Sequence, residues 1–382
     1  MPVVPALRRW SRLTTVALGS AMGRAVPART TPTRRRARRK GPVGLAMLLV
    51  AGLVAALGPA IAAGASSNLA GQTIVLYSAQ HEQTTQAIVN AFTQQTGIKV
   101  RIDANDEDVL TAQIEQEGSR SPADVVYTEN SNWLQQLDNK GLLSKVASST
   151  LANVPKQDSA PNGDWVGVSA RISALIYNPS KISASQLPKS ILDMAKPRYK
   201  GEFELAPSET DFWPVVASVA KAKGNAATLT WLRAIGANAS DVNVPDNETL
   251  SSDVSQGTTD FALINHYYFY RLEAEEGKQS VHAKLAYFAP KDPGYVEDIS
   301  GAAVLKSSKH PAAAQSLLAF MTAKAGQTVL AHGESFEYPI KKGVAANAEM
   351  PPLTSYKPTN FTPAELGTGL GAKKLLQQAG LL

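Results

Sequence analysis

The sequence predicts an α/β fold with a mainly parallel sheet covered by helices. From about residue 72 onward, short buried strand-like segments alternate with helix-like segments. A strand, a helix and a second strand in succession favour a parallel strand pair with the helix packed on the sheet. Two long β-rich stretches, residues 165–177 and 295–305, enclose a complete α/β region. The chain is therefore not expected to divide at a single point into two domains.

The first elements follow from the spacing of apolar residues. Ala87, Ile88 and Phe92 recur at helical spacing and predict an amphipathic helix. Gly118 follows a second helical pattern and is a typical residue just after a helix. The predicted segments are strands at residues 74–77, 98–102 and 123–127 and helices at residues 83–97 and 106–117.

The composition of the 382-residue chain excludes several kinds of chemistry. It contains no cysteine, which excludes disulfides, thiolate metal sites and cysteine nucleophiles. Absence of cysteine also removes the lipid attachment point of a bacterial lipoprotein. The length is sufficient for a cleavable leader followed by two domains of ordinary size.

The positive net charge belongs to the N-terminal part of the chain. Residues 1–65 hold 11 of the 38 basic residues and none of the 32 acidic ones, which leaves 27 basic against 32 acidic residues in the remainder. A nucleic-acid partner is therefore not expected. The basic cluster at residues 34–40 precedes an apolar stretch, 41–65, that ends in small residues, a pattern typical of an export signal. Because this stretch is nearly long enough to span a bilayer, an uncleaved N-terminal membrane anchor is the alternative.

Two adjacent tyrosines, Tyr267 and Tyr268, give the most specific functional indication. A phenolate is a hard anionic ligand, and a trivalent cation is the partner able to deprotonate a group with an ordinary pKa of about 10. Both side chains can reach one ion from the first turn of a helix, where neighbours diverge by about 100°. Asn265 is a suitable N-cap for that helix, whose N-terminus would favour the negative charge. Taken alone, the pair could also be one core and one surface aromatic residue.

Four ordered blocks carry a family resemblance that extends from about residue 72 to the C-terminus. The blocks are IVLYSAQH at residues 74–81, GSRSPADVVYTE at 118–129, INHYYFYR at 264–271 and SGAAVL at 300–305. In their order and spacing they resemble the bacterial periplasmic ferric-ion-binding proteins, the soluble receptors of iron ABC importers. The resemblance implies a two-lobed periplasmic-binding-protein fold with a hinge of two crossing strands and a ligand cleft between the lobes.

The expected division places residues 1–65 in the export signal or anchor. Lobe one would comprise residues 66–171 plus 299–350, and lobe two residues 172–298 plus 351–382. In this arrangement the chain crosses between the lobes more than once.

The resemblance also implies a ligand set for Fe(3+). His81 and Glu129 each follow a predicted strand, and α/β sheets place binding groups at the carboxyl ends of their strands. The imidazole of His81, the carboxylate of Glu129 and the phenolates of Tyr267 and Tyr268 correspond to the family's metal ligands. Singly, His81 would be a polar residue at a helix start and Glu129 a loop carboxylate. We expect the remaining histidines to be structural or solvated: His266, His282, His310 and His332.

The expected anion site departs from that of the better-known relatives, which hold a phosphate beside the iron. Glu209 and Asp211 stand where those relatives have small neutral residues and would repel phosphate. Carbonate or water is therefore the expected companion, or one of these carboxylates supplies an extra oxygen ligand. Ser208 with Asp211 three residues later also resembles a helix capping box, which needs no ligand role.

Three further polar residues are candidates for anion or neighbouring contacts. Asn247 and Asn265 align with the family's anion contacts. Arg171 lies near the expected hinge and could pair with a bound anion or with Glu209, or be an ordinary surface cation.

The predicted function is an exported, monomeric receptor that captures ferric iron and delivers it to a membrane ABC permease, and not an enzyme. One alternative is a receptor for an organic solute such as thiamine, a polyamine or a phosphonate, in which Tyr267 and Tyr268 stack on a cation. Another is an extracytoplasmic metal-dependent hydrolase, although the sequence lacks Gly-x-Ser-x-Gly and His-Glu-x-x-His motifs. The joint presence of His81 and Glu129 argues against the organic-solute alternative, because a stacking site requires neither residue.

Overall fold

The computed structural model describes residues 69–382. The predicted export signal or anchor, residues 1–65, lies outside the described residues. Between residues 69 and 382, no helix has both the length and the apolar character needed to cross a membrane.

Strands and helices alternate through the described residues. The strands are β1 Thr73–Ala79, β2 Lys99–Ala104, β3 Val125–Thr128, β4 Val166–Tyr177, β5 Phe203–Glu204, β6 Phe261–Asn265, β7 Lys284–Ala286, β8 Glu297–Val304 and β9 Tyr338–Pro339. The helices are α1 Glu82–Thr96, α2 Glu107–Glu117, α3 Ser131–Asn139, α4 Ser148–Leu151, α5 Phe212–Lys223, α6 Asn225–Asn238, α7 Asn247–Gln256, α8 His266–Glu276, α9 Pro311–Thr322, α10 Lys324–His332, α11 Pro363–Leu366 and α12 Gly369–Ala379.

The strands form one sheet in the order β2-β1-β3-β8-β4-β6-β5, with β7 and β9 also paired to β4. The expected parallel pairing is found where β1 lies between β2 and β3, and again between β5 and β6. All pairings of β4 and β8 are antiparallel, so the sheet is mixed and not mainly parallel. The difference arises because these two strands return across the sheet instead of following a helical crossover.

The long strand β4 connects the two parts of the sheet. Its first part, as far as Ile172, pairs with β8, and from Ser173 onward it pairs with β6. All of its residues are buried. Arg171 lies one residue before the change of partner, opposite Asp298 on β8. The strand therefore places a cation at the junction of the two parts.

Side chains of β1 show how the sheet separates two apolar cores. Ile74 and Leu76 enter the larger core, whereas Tyr77 enters the smaller one with residues of α2 and α3. This alternation follows from the two-residue period of a strand. Helix α1 ends at Thr96, and the next residue, Gly97, has a φ of 72°, a left-handed conformation that favours glycine. The predicted boundaries of the first five elements agree with the structure to within two residues.

Candidate metal centre

Four of the predicted site residues lie at the carboxyl ends of strands. His81 is the residue before α1, shortly after β1, and Glu129 follows β3 directly. Tyr267 and Tyr268 are the second and third residues of α8, which begins immediately after β6. The strand-to-helix turns thus carry all four side chains toward one side of the sheet.

These side chains form one connected group with Asp211. The Nε2 atom of His81 lies 3.2 Å from the phenol oxygen of Tyr267 and 3.3 Å from Oε1 of Glu129. The hydroxyls of Tyr267 and Tyr268 each donate a hydrogen bond of 2.9 Å to the same oxygen, Oδ2 of Asp211. One imidazole nitrogen, two phenol oxygens and two carboxylates are therefore brought together from distant parts of the chain.

The phenols are necessary for any metal assignment here. Within residues 69–382, histidine, cysteine, aspartate and glutamate alone form no group of three that could hold a metal ion. A site at this position would therefore depend on tyrosine oxygens, which select hard, highly charged cations.

The interpretation of Ser208 and Asp211 as a helix capping box is wrong. Helix α5 begins at Phe212, and Asp211 at its N-cap has helical backbone angles and makes no side-chain capping bond. Its carboxylate instead accepts the two tyrosine hydroxyls and, at Oδ1, a hydrogen bond of 3.1 Å from Arg171. A cation and two phenols are stronger partners for a buried carboxylate than the backbone amides at a helix start. Glu209, by contrast, is half-buried, and its carboxylate forms no hydrogen bond within the described residues.

Arg171 is neither a surface cation nor a partner of Glu209. Its side chain is fully buried, with NH1 at 3.2 Å from Oε2 of Glu129 and 3.1 Å from Oδ1 of Asp211. NH2 lies 2.9 Å from Oε1 of Glu337, which is also fully buried. A charge buried so deeply requires paired opposite charges, because desolvation would otherwise be very costly.

Burial and nearby carboxylates keep the tyrosines protonated before a cation binds. Burial, the charge of Asp211 and the charge of Glu129 raise the pKa of Tyr267 and of Tyr268 well above the ordinary value. Burial opposes ionisation of Asp211 as well, but Arg171 and the two tyrosine hydrogen bonds outweigh it and lower the pKa of this carboxyl. Asp211 is therefore an anion that accepts from two neutral phenols.

Burial also favours the uncharged forms of the other two candidate ligands, His81 and Glu129. Burial, helped by the charge of Arg271, lowers the pKa of His81 to about 3, so the imidazole is neutral at neutral pH. Burial and the charge of Asp211 raise the pKa of Glu129 well above its usual range. A neutral imidazole is the form that binds a metal.

Asn247 and Asn265 lie behind Asp211. Asn247 Nδ2 is 3.4 Å from Oδ2 of Asp211, a long contact. Asn265 stands at the N-cap of α8 as predicted, but its side chain makes no capping bond, and its buried Nδ2 has no partner within residues 69–382. The two side chains and Asp211 line a cavity of about 10 Å³, close to the smallest volume that holds one water.

Sequence reasoning missed Glu337 and Gln80. The buried carboxylate of Glu337 accepts hydrogen bonds from Ser169 Oγ and, at 3.2 Å, from Gln80 Nε2. The only local signal was the position of Gln80 next to His81, and nothing near Glu337 in the sequence indicates burial. His266 has structural contacts, as expected: its Nδ1 accepts from the Ile172 amide at 3.1 Å.

The protein is similar to known iron-binding proteins over most of its length. The family described as bacterial extracellular solute-binding protein matches residues 78–328. The Fe(3+)-binding periplasmic protein of Serratia marcescens is 40% identical over 84% of this chain and 94% of its own length. The major ferric iron-binding protein of Neisseria meningitidis serogroup B, strain MC58, is 36% identical over 81% of this chain and 93% of its own length.

Solved structures give the same relationship. Iron-bound HitA from Pseudomonas aeruginosa is 41% identical, with a TM-score of 0.77 over 81% of this chain and 99% of its own. FutA from Trichodesmium, in complex with iron and citrate, is 27% identical, with a TM-score of 0.71 over 81% of this chain and 100% of its own. The chain shares the two-lobed α/β fold of these proteins. It belongs to the bacterial extracellular solute-binding protein family, in the group of periplasmic ferric-ion-binding proteins.

Proposed function

We propose that this protein is an exported receptor that binds ferric iron between two lobes and delivers it to the permease of an ABC importer. The observation that carries the proposal is one connected group of side chains: Tyr267 and Tyr268 contact Asp211, and His81 contacts both Tyr267 and Glu129. The names of the two relatives support it, since both are ferric-iron-binding and that of Serratia marcescens is periplasmic. The protein acts as a monomeric carrier and not as an enzyme.

The proposed lobes keep the predicted bounds. Lobe one comprises residues 66–171 plus 299–350, and lobe two residues 172–298 plus 351–382. The packing of α12 against α5 and α6 supports the placement of the C-terminal residues with lobe two. The change of partner along β4 supports a hinge at residues 171–173. N-terminal sequencing of the mature protein distinguishes a cleaved leader from an uncleaved anchor.

The proposed iron ligands are His81 Nε2, one oxygen each from Glu129 and Asp211, and the phenolate oxygens of Tyr267 and Tyr268. They comprise one nitrogen and four oxygens, which leaves one position of an octahedral ferric ion for water or another small ligand. Two phenolates and two carboxylates carry four negative charges, one more than the charge of the ion. A companion anion would add to this excess.

Phosphate is therefore not the proposed companion of the iron. Asp211 already supplies an anionic oxygen beside Asn247 and Asn265, and the cavity there, about 10 Å³, is far too small for a phosphate in this conformation. Water at the open position fits both the charge and the space, whereas carbonate, although smaller than phosphate, is also an anion. Asn247 and Asn265 are proposed to hold Asp211 or this small ligand.

A stacking site for an organic cation is not supported by the orientation of the tyrosines. Their hydroxyls point at Asp211, and the guanidinium of Arg171 lies 5.5 Å from the ring centre of Tyr267. A second cation stacked on that ring would meet the charge of Arg171.

The direct test is metal stoichiometry. The purified mature protein is dialysed against ferric citrate with no other added anion, and bound iron is measured by elemental analysis. The proposal predicts one iron per chain, and a Tyr267→Phe/Tyr268→Phe double variant should retain almost none. Retention of full stoichiometry by that variant, or no binding by the wild-type protein, would contradict the proposal.

A further inference from the structure

A short segment between α10 and β9 contacts residues that touch or directly precede the candidate ligands. We call Ser335, Phe336 and Glu337 the junction segment. It precedes β9, which pairs with Ser169 and Ala170 on β4. Phe336 has a φ of 51°, a left-handed conformation that costs free energy in a residue with a side chain and persists only where the surroundings impose it. The segment is thus held in one conformation by its contacts.

The first set of contacts leads to the two carboxylate ligands. Glu337 Oε1 lies 2.9 Å from NH2 of Arg171, while NH1 of the same guanidinium lies 3.2 Å from Glu129 and 3.1 Å from Asp211. A guanidinium is planar and rigid, so fixing one nitrogen limits where the other can lie. Glu337 restrains NH2 through an ion pair that lacks hydrogen-bond geometry, and this attraction opposes a closer approach of Arg171 to Glu129 and Asp211.

The second set leads to the imidazole. Gln80 Nε2 donates to Glu337 at 3.2 Å, and the other end of the same amide, Oε1, accepts the backbone N–H of His81 at 2.8 Å. Ser169 Oγ also donates to Glu337. The Gln80 amide is therefore oriented by Glu337 and in turn fixes the backbone that carries His81.

The third set leads to the phenols. The carbonyl of Phe336 lies 2.9 Å from Nε2 of His266, the first residue of α8, and Nδ1 of His266 accepts from the Ile172 amide. Because Nδ1 is an acceptor, Nε2 carries the proton and donates. His266 is followed directly by Tyr267 and Tyr268. The junction segment therefore also fixes the start of the helix that carries both phenols.

We propose that Glu337 is a positioning residue that sets ferric affinity without touching the ion. Its carboxylate contacts none of the five proposed ligand side chains within the described residues. It holds Arg171 at a distance that offsets excess negative charge yet leaves Glu129 and Asp211 free to bind iron. Without this restraint, the guanidinium can pair more fully with those two carboxylates and compete with the cation. The inference rests on the proposed ferric function.

The test is the isosteric variant Glu337→Gln, which removes the charge and keeps the volume. Changes to groups that orient metal ligands typically cost 10- to 100-fold in metal affinity, and we expect a loss of about that size in a citrate competition titration. The iron dissociation rate should rise and the visible absorption band should shift, because the ligands are repositioned. A merely structural role would lower the melting temperature without altering either quantity.

Asp124→Asn is the matched control. Asp124 is also buried and accepts hydrogen bonds, from the Val75 amide at 2.9 Å and from Ser308 Oγ at 2.6 Å, but it has no contact with the proposed ligands among the described residues. We expect this variant to lose stability and to keep wild-type ferric affinity. Equal affinity losses in Asp124→Asn and Glu337→Gln would overturn the inference.

A double-variant cycle tests the route through Arg171. Most of the loss caused by Glu337→Gln should be absent in an Arg171→Gln background, since the two residues would act as a unit. Additive losses would refute that route. If Glu337→Gln does not fold, Ser169→Ala is the substitute variant, because it removes one hydrogen-bond donor to Glu337. It should lower ferric affinity several-fold by the same reasoning. Unchanged affinity would overturn the inference. Failure of the wild-type protein to bind iron would instead refute the proposed function, and this inference would fall with it.

Discussion

Replacing Asp211 with alanine should change which anion supports ferric binding. In the wild-type protein Asp211 accepts both tyrosine hydroxyls and lies against Arg171. Removal of the carboxylate deletes one proposed ligand and one negative charge. It also opens space beside Asn247 and Asn265, whose side chains offer hydrogen-bond donors to an anion.

The size of the effect follows from the charge of Asp211. A phosphate in the space that Asp211 shares with Asn247 and Asn265 would lie on the order of 4 Å from the carboxylate, where two unit charges repel by about 4 kcal/mol at an effective dielectric constant of 20. This free energy corresponds to about three orders of magnitude in anion affinity. Wild-type iron binding should therefore be nearly independent of phosphate. The Asp211→Ala variant should bind weakly without phosphate and recover at least about tenfold with it.

The assay is a ferric citrate competition titration with phosphate, with carbonate and with neither. Glu209→Gln is the matched control, because Glu209 is a second carboxylate two positions away. Burial, together with the charge of Asp211, raises the pKa of Glu209 to about 9, so this group is largely uncharged at neutral pH. Its replacement should leave the anion response unchanged. Strong dependence of the wild-type protein on phosphate, equal in the Asp211→Ala variant, would refute this account of the site.

Two further predictions concern the phenols. Tyr267→Phe and Tyr268→Phe should each weaken ferric affinity by more than the roughly 100-fold upper range seen for ligand-orienting groups. Chemical denaturation should show a stability loss of about 2 kcal/mol, the size expected for one lost hydrogen bond to the charged Asp211. A variant that keeps full affinity would argue against phenolate ligation. Ferric affinity should also rise with pH. Because the pKa values of Tyr267 and Tyr268 are raised, iron binding must displace about two protons from these phenols. Glu129 should contribute to the proton release, whereas His81, whose pKa is near 3, should release none. Calorimetry in buffers of different ionisation enthalpy counts these protons, and a count near zero at neutral pH would contradict the prediction.

Local sequence patterns were sufficient for the elements that position the site. Strand and helix periodicity gave β1, α1, β2, α2 and β3, and the positions of His81 and Glu129 after their strands followed from them. The pair Tyr267 and Tyr268 could be assigned to a helix start because Asn265, a suitable N-cap, shortly precedes them in sequence. These features depend on neighbouring residues, which a single sequence displays.

The remaining contacts of the site depend on residues far apart in the chain. The spacing of Ser208 and Asp211 suggested a helix cap, but tertiary contacts with Arg171 and the tyrosines determine where the Asp211 carboxylate lies. Arg171 pairs with Glu337 across 166 positions of sequence, and no local pattern indicates that either charge is buried. The antiparallel pairings of β4 likewise arise from long-range returns of the chain.

The most direct test of ferric binding is a visible absorption and resonance Raman titration of the purified mature protein with ferric citrate. Phenolate oxygens on ferric iron give a charge-transfer band, and excitation within it enhances tyrosinate ring vibrations. We predict a coloured complex that saturates at one iron per chain, loses intensity in Tyr267→Phe or Tyr268→Phe and loses all tyrosinate bands when both are replaced. Iron binding without a charge-transfer band, or with tyrosinate bands that persist in the double variant, would contradict the assignment of these phenols to the metal.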